Sequence, residues 1–298
     1  PTAEAAGRSS GTPLLRRRIC MDAVELEDFG GRAEPGFDNT PPMNAAILAL
    51  ANRPNKTLRF RAGTYTFNSK PLNINDTLRI EGQGVNGTTL VRNYNESVPE
   101  TGFLHIHGPN CQVARLGIVA GNGTVGGAAI ALVTLTVSHP SPDWCVFEDL
   151  YLSGGGQWDY TFYAFGRNRP TDVPGVRDLV VRNVWMFAAR RDILHLDNVN
   201  NAWISGGFFP AGGTTNTVTI RGDADHSSHN IMLQATYLDA LILSYCRWVT
   251  VLHSGILTDV RVGASVQDFS LFPPLPLGSC PSAVGGAELL QFSRRLDQ

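Results

Sequence analysis

Asp28-Phe29-Gly30-Gly31, then Asp38-Asn39-Thr40-Pro41-Pro42-Met43, then Leu58-Arg59-Phe60-Arg61-Ala62-Gly63-Thr64-Tyr65-Thr66-Phe67: the reading of this stretch decides the fold. Its middle predicts a short helix. Thr40 is expected as the N-cap, its hydroxyl accepting from a free N–H of the first turn. Pro41 and Pro42 suit that turn, which needs no donor. Met43, Ile47 and Leu50 then form one apolar face, and Pro54 closes the element. Leu58 to Phe67 has strand residues bent around Ala62-Gly63. The plain alternative is a helix–strand unit of an α/β domain.

These residues resemble the entry segment of the pectate-lyase-like superfamily of right-handed parallel β-helices. Members often show an Asp-Phe-Gly turn, an Asp-Asp-Thr-like turn, a capping helix and a strand ending Pro-Ala-Gly-Thr-Tyr. Here Asn39 replaces the second Asp and Arg61 stands at the usual proline. Leu78-Arg79-Ile80-Glu81-Gly82-Gln83-Gly84, with Thr88, Thr89 and Leu90, is similar to the family's first rung. The resemblance covers Asp28 to Leu90 and implies an all-β, single-stranded solenoid, a right-handed parallel β-helix with a short N-terminal capping helix. It says little of activity, since the family includes polysaccharide lyases, hydrolases, phage tailspikes and members with no catalytic role.

The rest of the chain is read against that expectation. Among 298 residues, 31 Gly and 18 Pro imply many turns, and charged residues are only 17%. A net charge of −2 gives no general attraction to nucleic acid or an acidic membrane, and no apolar run has membrane-spanning length. Cys20, Cys111, Cys145, Cys246 and Cys280 are odd in number and widely spread, unlike a disulfide framework or zinc site. Pro1 opens no signal-peptide pattern, so assembly in a reducing cytoplasm is expected, secretion being the alternative. Five Asn-x-Ser/Thr triplets begin at Asn55, Asn75, Asn86, Asn95 and Asn122, and are read as turns.

Residues 1–27 are read as an arm whose Leu14-Leu15-Arg16-Arg17-Arg18-Ile19 docks on other virion proteins or is a plain tail. Residues 28–57 are the entry segment, 58–272 the β-helix and 273–298 a closing or oligomerisation segment. Inside the coil, segments beginning at Cys111, Cys145 and Leu179 lie 34 residues apart. Each has a polar pair before an apolar–x–apolar strand, such as Glu148-Asp149 before Leu150 and Arg182-Asn183 before Val184. Alternation inside a fixed longer period means stacked strands with one face inward. Val199 to Ile204 resembles Val181 to Met186 at an offset of 18, predicting a shorter rung. The interior is expected to hold Leu150, Leu152, Val184, Met186, Leu194, Leu196 and Ile204, with Cys111 above Cys145 as a buried ladder step. Proline-rich Phe272 to Gly278 ends the solenoid, and Ala287 to Phe292 is a closing helix or strand. The spike members it resembles imply a homotrimer.

Carbohydrate chemistry on such a surface needs carboxylates at set spacing. Asp223 and Asp225, two apart with His226 and His229 nearby, are the first catalytic candidates, set against a polar turn. The second group is Arg190, Arg191, Asp192, His195 and Asp197. With Leu194 and Leu196 inward, His195 and Asp197 point out, and arginine beside carboxylate suits acidic sugars or a uronate lyase. The alternative is an exposed salt-bridge patch. Asp192 joins the catalytic set, and Arg190, Arg191, His195, Asp197, His226, Trp158 and Tyr160 the substrate-binding set. Glu148 with Asp149 is read as a turn pair, and His105 with His107 as lacking a third metal ligand. Tyr151, Tyr160 and Phe162 are expected outward, stacking on sugars or filling subunit contacts.

Together these readings predict a phage-type spike on the virion surface that binds, and in its active form cleaves, host surface polysaccharide. No metal or cofactor, nucleic acid or membrane insertion is expected. The alternatives are a non-catalytic capsid decoration protein of the same fold and a free polysaccharide lyase or glycoside hydrolase.

Overall fold

The computed structural model describes residues 23–51, 53, 56–134, 141–166, 175–210, 218–225, 227–253, 259–263, 265–272 and 291–292. Strands β1 (Ala23–Glu25), β2 (Thr57–Arg59), β3 (Gly63–Phe67), β4 (Arg79–Glu81) and β5 (Thr88–Arg92) open it, with helix α1 (Thr40–Leu50) between β1 and β2. Next come β6 (Gly102–Ile106), β7 (Gln112–Ala120), β8 (Ala128–Val133), β9 (Val146–Ser153), β10 (Tyr160–Phe165), β11 (Val176–Met186) and β12 (Asp192–Asp197). The coil continues through β13 (Val199–Phe209), β14 (Val218–Arg221), β15 (Ser228–Leu238), β16 (Ala240–Ser244), β17 (Cys246–His253), β18 (Asp259–Val262) and β19 (Val266–Phe272), and ends at β20 (Gln291–Phe292).

From β6 to β19, successive strands alternate between two sheets. One runs β7-β9-β11-β13-β15-β17-β19 and the other β6-β8-β10-β12-β14-β16-β18. A strand that pairs with the next but one, in parallel, is the signature of a coil, and this is a parallel β-helix. Among the described strands β20 alone pairs antiparallel, against β19. The first sheet reaches further toward the N-terminus than the sequence reading set it, because Ala23–Glu25 pairs in parallel with Thr57–Arg59 inside the supposed arm. Residues 1–22, Asn55, His226 and the closing run 273–290 lie outside the described residues.

The entry stretch folds around two buried polar side chains. Asn39, fully buried, accepts from the Arg32 amide at 2.8 Å and donates to the Arg32 carbonyl at 3.0 Å. Its own carbonyl takes the first helical bond from Met43, so Asn39 is the N-cap and Thr40 the first helical residue, a shift of one from the expected cap. The Thr40 hydroxyl instead donates to Asp38 at 2.7 Å. Met43, Ala46, Ile47 and Leu50 of α1 join the core beside Leu58 and Phe60.

Burial would raise the Asp38 carboxyl. Bonds from the Asn68 amide, the Thr40 hydroxyl and the Thr40 amide outweigh it and hold Asp38 below the ordinary carboxylate range. A depressed folded pKa contributes stability above the unfolded value of about 3.9 and loses it as pH falls through the folded value. Asp38→Asn is therefore expected to lower the urea midpoint at pH 7, with the gap to wild type narrowing below about pH 4. A gap of constant size would contradict this.

All seven residues expected inside are there: Leu150, Leu152, Val184, Met186, Leu194, Leu196 and Ile204 are at most 1% exposed in one continuous core. Cys111 and Cys145 are buried and free, and the Cys145 thiol is pushed well up by its contact with Cys111 and by burial. The 34-residue period holds where Gln112 pairs with Val146 and Val146 with Val180.

The next offset does not hold. Val181 pairs with Ile204, 23 residues on rather than 18. The reason lies in two ladders of left-handed residues. Asn110, Trp144, Asp178, Asn201 and Asn230 all have φ between 54° and 58° at one corner, while Arg115, Asp149, Asn183 and Gly206 repeat the conformation five residues later, at a bend inside the long strand. Asn201 and Asn183 each precede a small apolar residue and a tryptophan, so the sequences align, but they belong to different ladders. Asx side chains serve both because they tolerate positive φ and bond their neighbours up the stack. Asn183 donates to Asp149 at 2.6 Å, and Asn201 to Asp178 at 3.1 Å.

Candidate functional site

The short-strand sheet turns alternate residues out of the core. Register partners Phe162, Leu194 and Val218 face inward, and Ala164, Leu196 and Ile220 do the same two residues on. The positions between, Ala131, Tyr163, His195 and Thr219, form one outward ladder. The flanking outward ladder is Val133, Phe165, Asp197 and Arg221. Pairing of Tyr160 with Asp192 sets the opposite flank. The fold thus gathers two phenols, an imidazole, two carboxylates and Arg221 from three adjacent strands, and the turn before β12 adds Arg190 and Arg191.

His195 lies between the tyrosines, with ring centroids 5.1 Å from Tyr160 and 5.2 Å from Tyr163. It is 2% exposed. Its Nδ1 is 2.6 Å from Asp192 Oδ2. In the neutral imidazole, that contact places the proton on Nδ1. Among the described residues Nε2 has no hydrogen-bond partner, and Asp197 Oδ2 lies 3.9 Å away. Asp197, fully buried, accepts from Arg221 Nε at 2.9 Å. Arg191 Nη1 donates to the Tyr160 hydroxyl at 3.4 Å, and Arg190 Nη1 is 3.5 Å from Asp159 Oδ1.

Burial raises both phenols above the ordinary tyrosine value. For Tyr160, the Arg191 bond and charge oppose that rise; for Tyr163 the Asp197 charge adds to it. Both are protonated at neutral pH and serve as donors, not bases. Arg190 and Arg191 are exposed and Arg221 is partly so. The patch is a floor of aromatic rings and one imidazole under a cationic rim.

No family model and no curated protein matches the chain. Solved structures do. The A-module of Azotobacter vinelandii mannuronan C-5 epimerase AlgE6 superposes with a TM-score of 0.53 at 15% identity, over 83% of this chain and 75% of that one. The AlgE4 A-module gives 0.53 at 14%, over 83% and 76%. The enzymatically active domain of bacteriophage CBA120 tailspike protein 2 gives 0.44 at 12%, over 86% of this chain and 46% of that one. The chain shares the parallel β-helix fold with these epimerase modules. Among the described residues, no helix is long and apolar enough to cross a membrane.

The β-helix brings together most of the second candidate group. Asp192, His195, Asp197, Arg191 and Tyr160 share one patch, with Arg190 at its edge on Asp159. The expected orientation of His195 and Asp197, away from the core, is found, but the expected exposure is not: Tyr160 and Tyr163 cover His195, and Asp197 is buried against Arg221. Trp158 is not part of the surface. It is fully buried, its Nε1 donating to the Ser153 carbonyl at 2.9 Å and its ring lying 4.0 Å from the Arg92 guanidinium. Phe162, expected outward, is likewise in the core against Phe147.

Asp223 and Asp225 do not sit on a strand. Asp223 accepts the Asp225 amide at 3.0 Å in the connection after β14, which is the polar-turn geometry. Glu148 and Asp149 are rung residues, bonded to Arg182 and Asn183 one coil away. The His105 and His107 rings are 4.4 Å apart, with Nδ1 atoms on Lys70 and the Val133 carbonyl. Burial, His107 and Lys70 push His105 down to about 3, so it is neutral. Among the described residues no group of three metal-ligating side chains occurs.

Sequence reasoning missed Tyr163 and Arg221. Their signal is register. Once Phe162, Leu194 and Val218 are aligned as inward residues, Tyr163 falls beside His195 and Arg221 beside Asp197.

Proposed function

We propose that this chain binds a uronate-containing polysaccharide on the Tyr160–Tyr163–His195 patch and removes the proton from C5, next to the sugar carboxylate. The observation that carries this is the His195 imidazole, anchored by Asp192 at Nδ1 and, among the described residues, without a hydrogen-bond partner at Nε2, beneath a rim of arginines. Arg191 and Arg221 pair with the substrate carboxylate and stabilise charge that grows there as the C–H bond breaks. His195 takes the proton. Two outcomes follow from the resulting carbanion. The C4–O bond breaks, a C4–C5 double bond forms and a phenol protonates the departing oxygen; or a proton returns to the opposite face and C5 inverts. Tyr160, at the start of β10, has to turn aside to admit the sugar.

The names of the two superposable epimerases make polymannuronate the first polymer to try. The wider reading is a homotrimeric phage-type virion spike with α1 covering its N-terminal end, attached through its N-terminal segment and directed at host surface polysaccharide. A second reading, a non-catalytic capsid decoration protein, is favoured by one observation: His195 and Asp197 are 2% and 0% exposed, as core residues would be.

Polymannuronate incubated with the protein in heavy water separates these. Deuterium at C5, or unsaturated ends absorbing in the ultraviolet, is the expected result. Binding without either outcome selects the non-catalytic protein. Absence of binding to polymannuronate and to polygalacturonate overturns the proposal.

A further inference from the structure

The long-strand sheet carries a second surface that the patch on the other sheet does not use. After the bend marked by Asp149, Asn183 and Gly206, the outward register runs Tyr151, Trp185, Phe208 and Tyr237, from β9 through β15. Phe187 joins it just beyond β11. The rings touch in sequence: Tyr151 to Phe187 at 5.2 Å, Phe187 to Phe208 at 5.7 Å and Phe208 to Tyr237 at 5.1 Å, with Trp185 6.0 Å from Phe208. Trp185 is 50% exposed and the other four are half-buried. Neighbouring strands lie about 4.8 Å apart, so four coils give a stripe about 14 Å long.

We infer that this aromatic stripe is a binding site for an uncharged glycan chain, independent of the acid-sugar patch. Three features favour a sugar over a second copy of the chain. The rings run along the coil axis over four consecutive coils, with two of them on the β11 coil, which suits a linear chain of flat-faced pyranoses. A polar row borders the stripe on the same strands, where Glu148 is paired with Arg182 and Asp149 with Asn183. The Arg182 side chain in that row is 57% exposed. An apolar protein face laid over the stripe would strip water from that pair without replacing its hydrogen bonds, whereas sugar hydroxyls replace them. With Glu148 and Asp149 against the single cation Arg182, the row is net negative, so a polyanion gains nothing there. Stacking supplies the attraction, and the border supplies orientation.

The test is titration of the full chain with cellohexaose and with mannohexaose, followed by tryptophan fluorescence and calorimetry. At least one hexamer is expected to bind. Trp185→Ala and Phe208→Ala are each expected to weaken that binding about tenfold. Phe208→Leu keeps apolar bulk without a flat ring, so it should lose affinity while holding the wild-type urea midpoint. His195→Asn should leave hexamer binding unchanged, which separates this site from the uronate patch. The inference is overturned by failure of both hexamers to bind, or by full affinity in Phe208→Leu. It is equally overturned if Trp185→Ala or Phe208→Ala lowers the sedimenting mass, because the stripe would then be a contact between copies.

Discussion

Phe162→Ala is expected to lower the unfolding free energy by about 3–5 kcal/mol, the range for deleting a large aromatic from a packed core. Phe162 is fully buried in β10 between Ile130 of β8 and Leu194 of β12, and its ring meets Phe147 of the opposite sheet edge-on at 4.9 Å. It therefore ties both sheets of its own coil to each other and to the coils on either side. Neighbouring strands are fixed by parallel pairing, so the wall cannot collapse far into the space left behind. In a coil each turn contacts only those beside it, and loss in the middle loosens the stack at that point. The urea midpoint reads this directly. Tyr163→Phe, one residue on and facing away from the inner core in the smaller cluster with Tyr160, should lower the unfolding free energy by less than about 1 kcal/mol. Equal losses at the two positions would mean that the inward and outward assignments in β10 are wrong.

That contrast also shows what the chain discloses unaided. Asp38-Asn39-Thr40, the double proline and the apolar face after it are local, and the structure keeps them with a one-residue shift in the cap. The 34-residue period is readable because Ala114-Arg115, Glu148-Asp149 and Arg182-Asn183 mark the same bend three times. It fails at Asn201 because two corners per coil need the same left-handed backbone and the same residue types. Trp158 is misread for a different reason. An aromatic in a glycine-rich run looks like a surface platform, yet Gly154 leaves the room its ring fills: a Cβ there would lie 2.6 Å from Trp158 Cδ1. Nothing local announces that a glycine is making space rather than a turn.

The site was legible only within one strand. His195 and Asp197 sit two apart on β12, a spacing that reveals a shared face, while Asp192, three before His195 at the start of the strand, joins them through its hydrogen bond to Nδ1. Tyr163 and Arg221 reach them from β10 and β14, across connections of unequal length, so 32 residues separate Tyr163 from its register partner and 24 separate Arg221 from its own. Covering of His195 by those phenols is a packing result that no strand pattern contains.

His195→Asn is expected to reduce C5 proton exchange or chain cleavage on polymannuronate by about 10²–10⁴-fold, the usual contribution of a positioned acid–base group. Asparagine keeps the size and a donor toward Asp192 but has no basic nitrogen at the Nε2 position, so the polymer should still bind. Asp192→Asn keeps the shape of the anchor but removes its charge and can turn an NH2 donor toward Nδ1, so the His195 tautomer is no longer fixed and a smaller loss in turnover is expected, again with binding retained. Arg221→Gln acts on a different step. It leaves Asp197 buried without its cation and takes one positive group from the rim, so it should weaken binding and turnover together. The three variants thus divide into a base, its anchor and a carboxylate clamp by the split between affinity and rate. A structural cluster would show another pattern: all three would lose folding stability, with any activity falling only in proportion to the folded fraction. Urea midpoints measured beside the rates decide it. His195→Asn that folds as wild type and still exchanges C5 protons at the wild-type rate removes His195 from the chemistry.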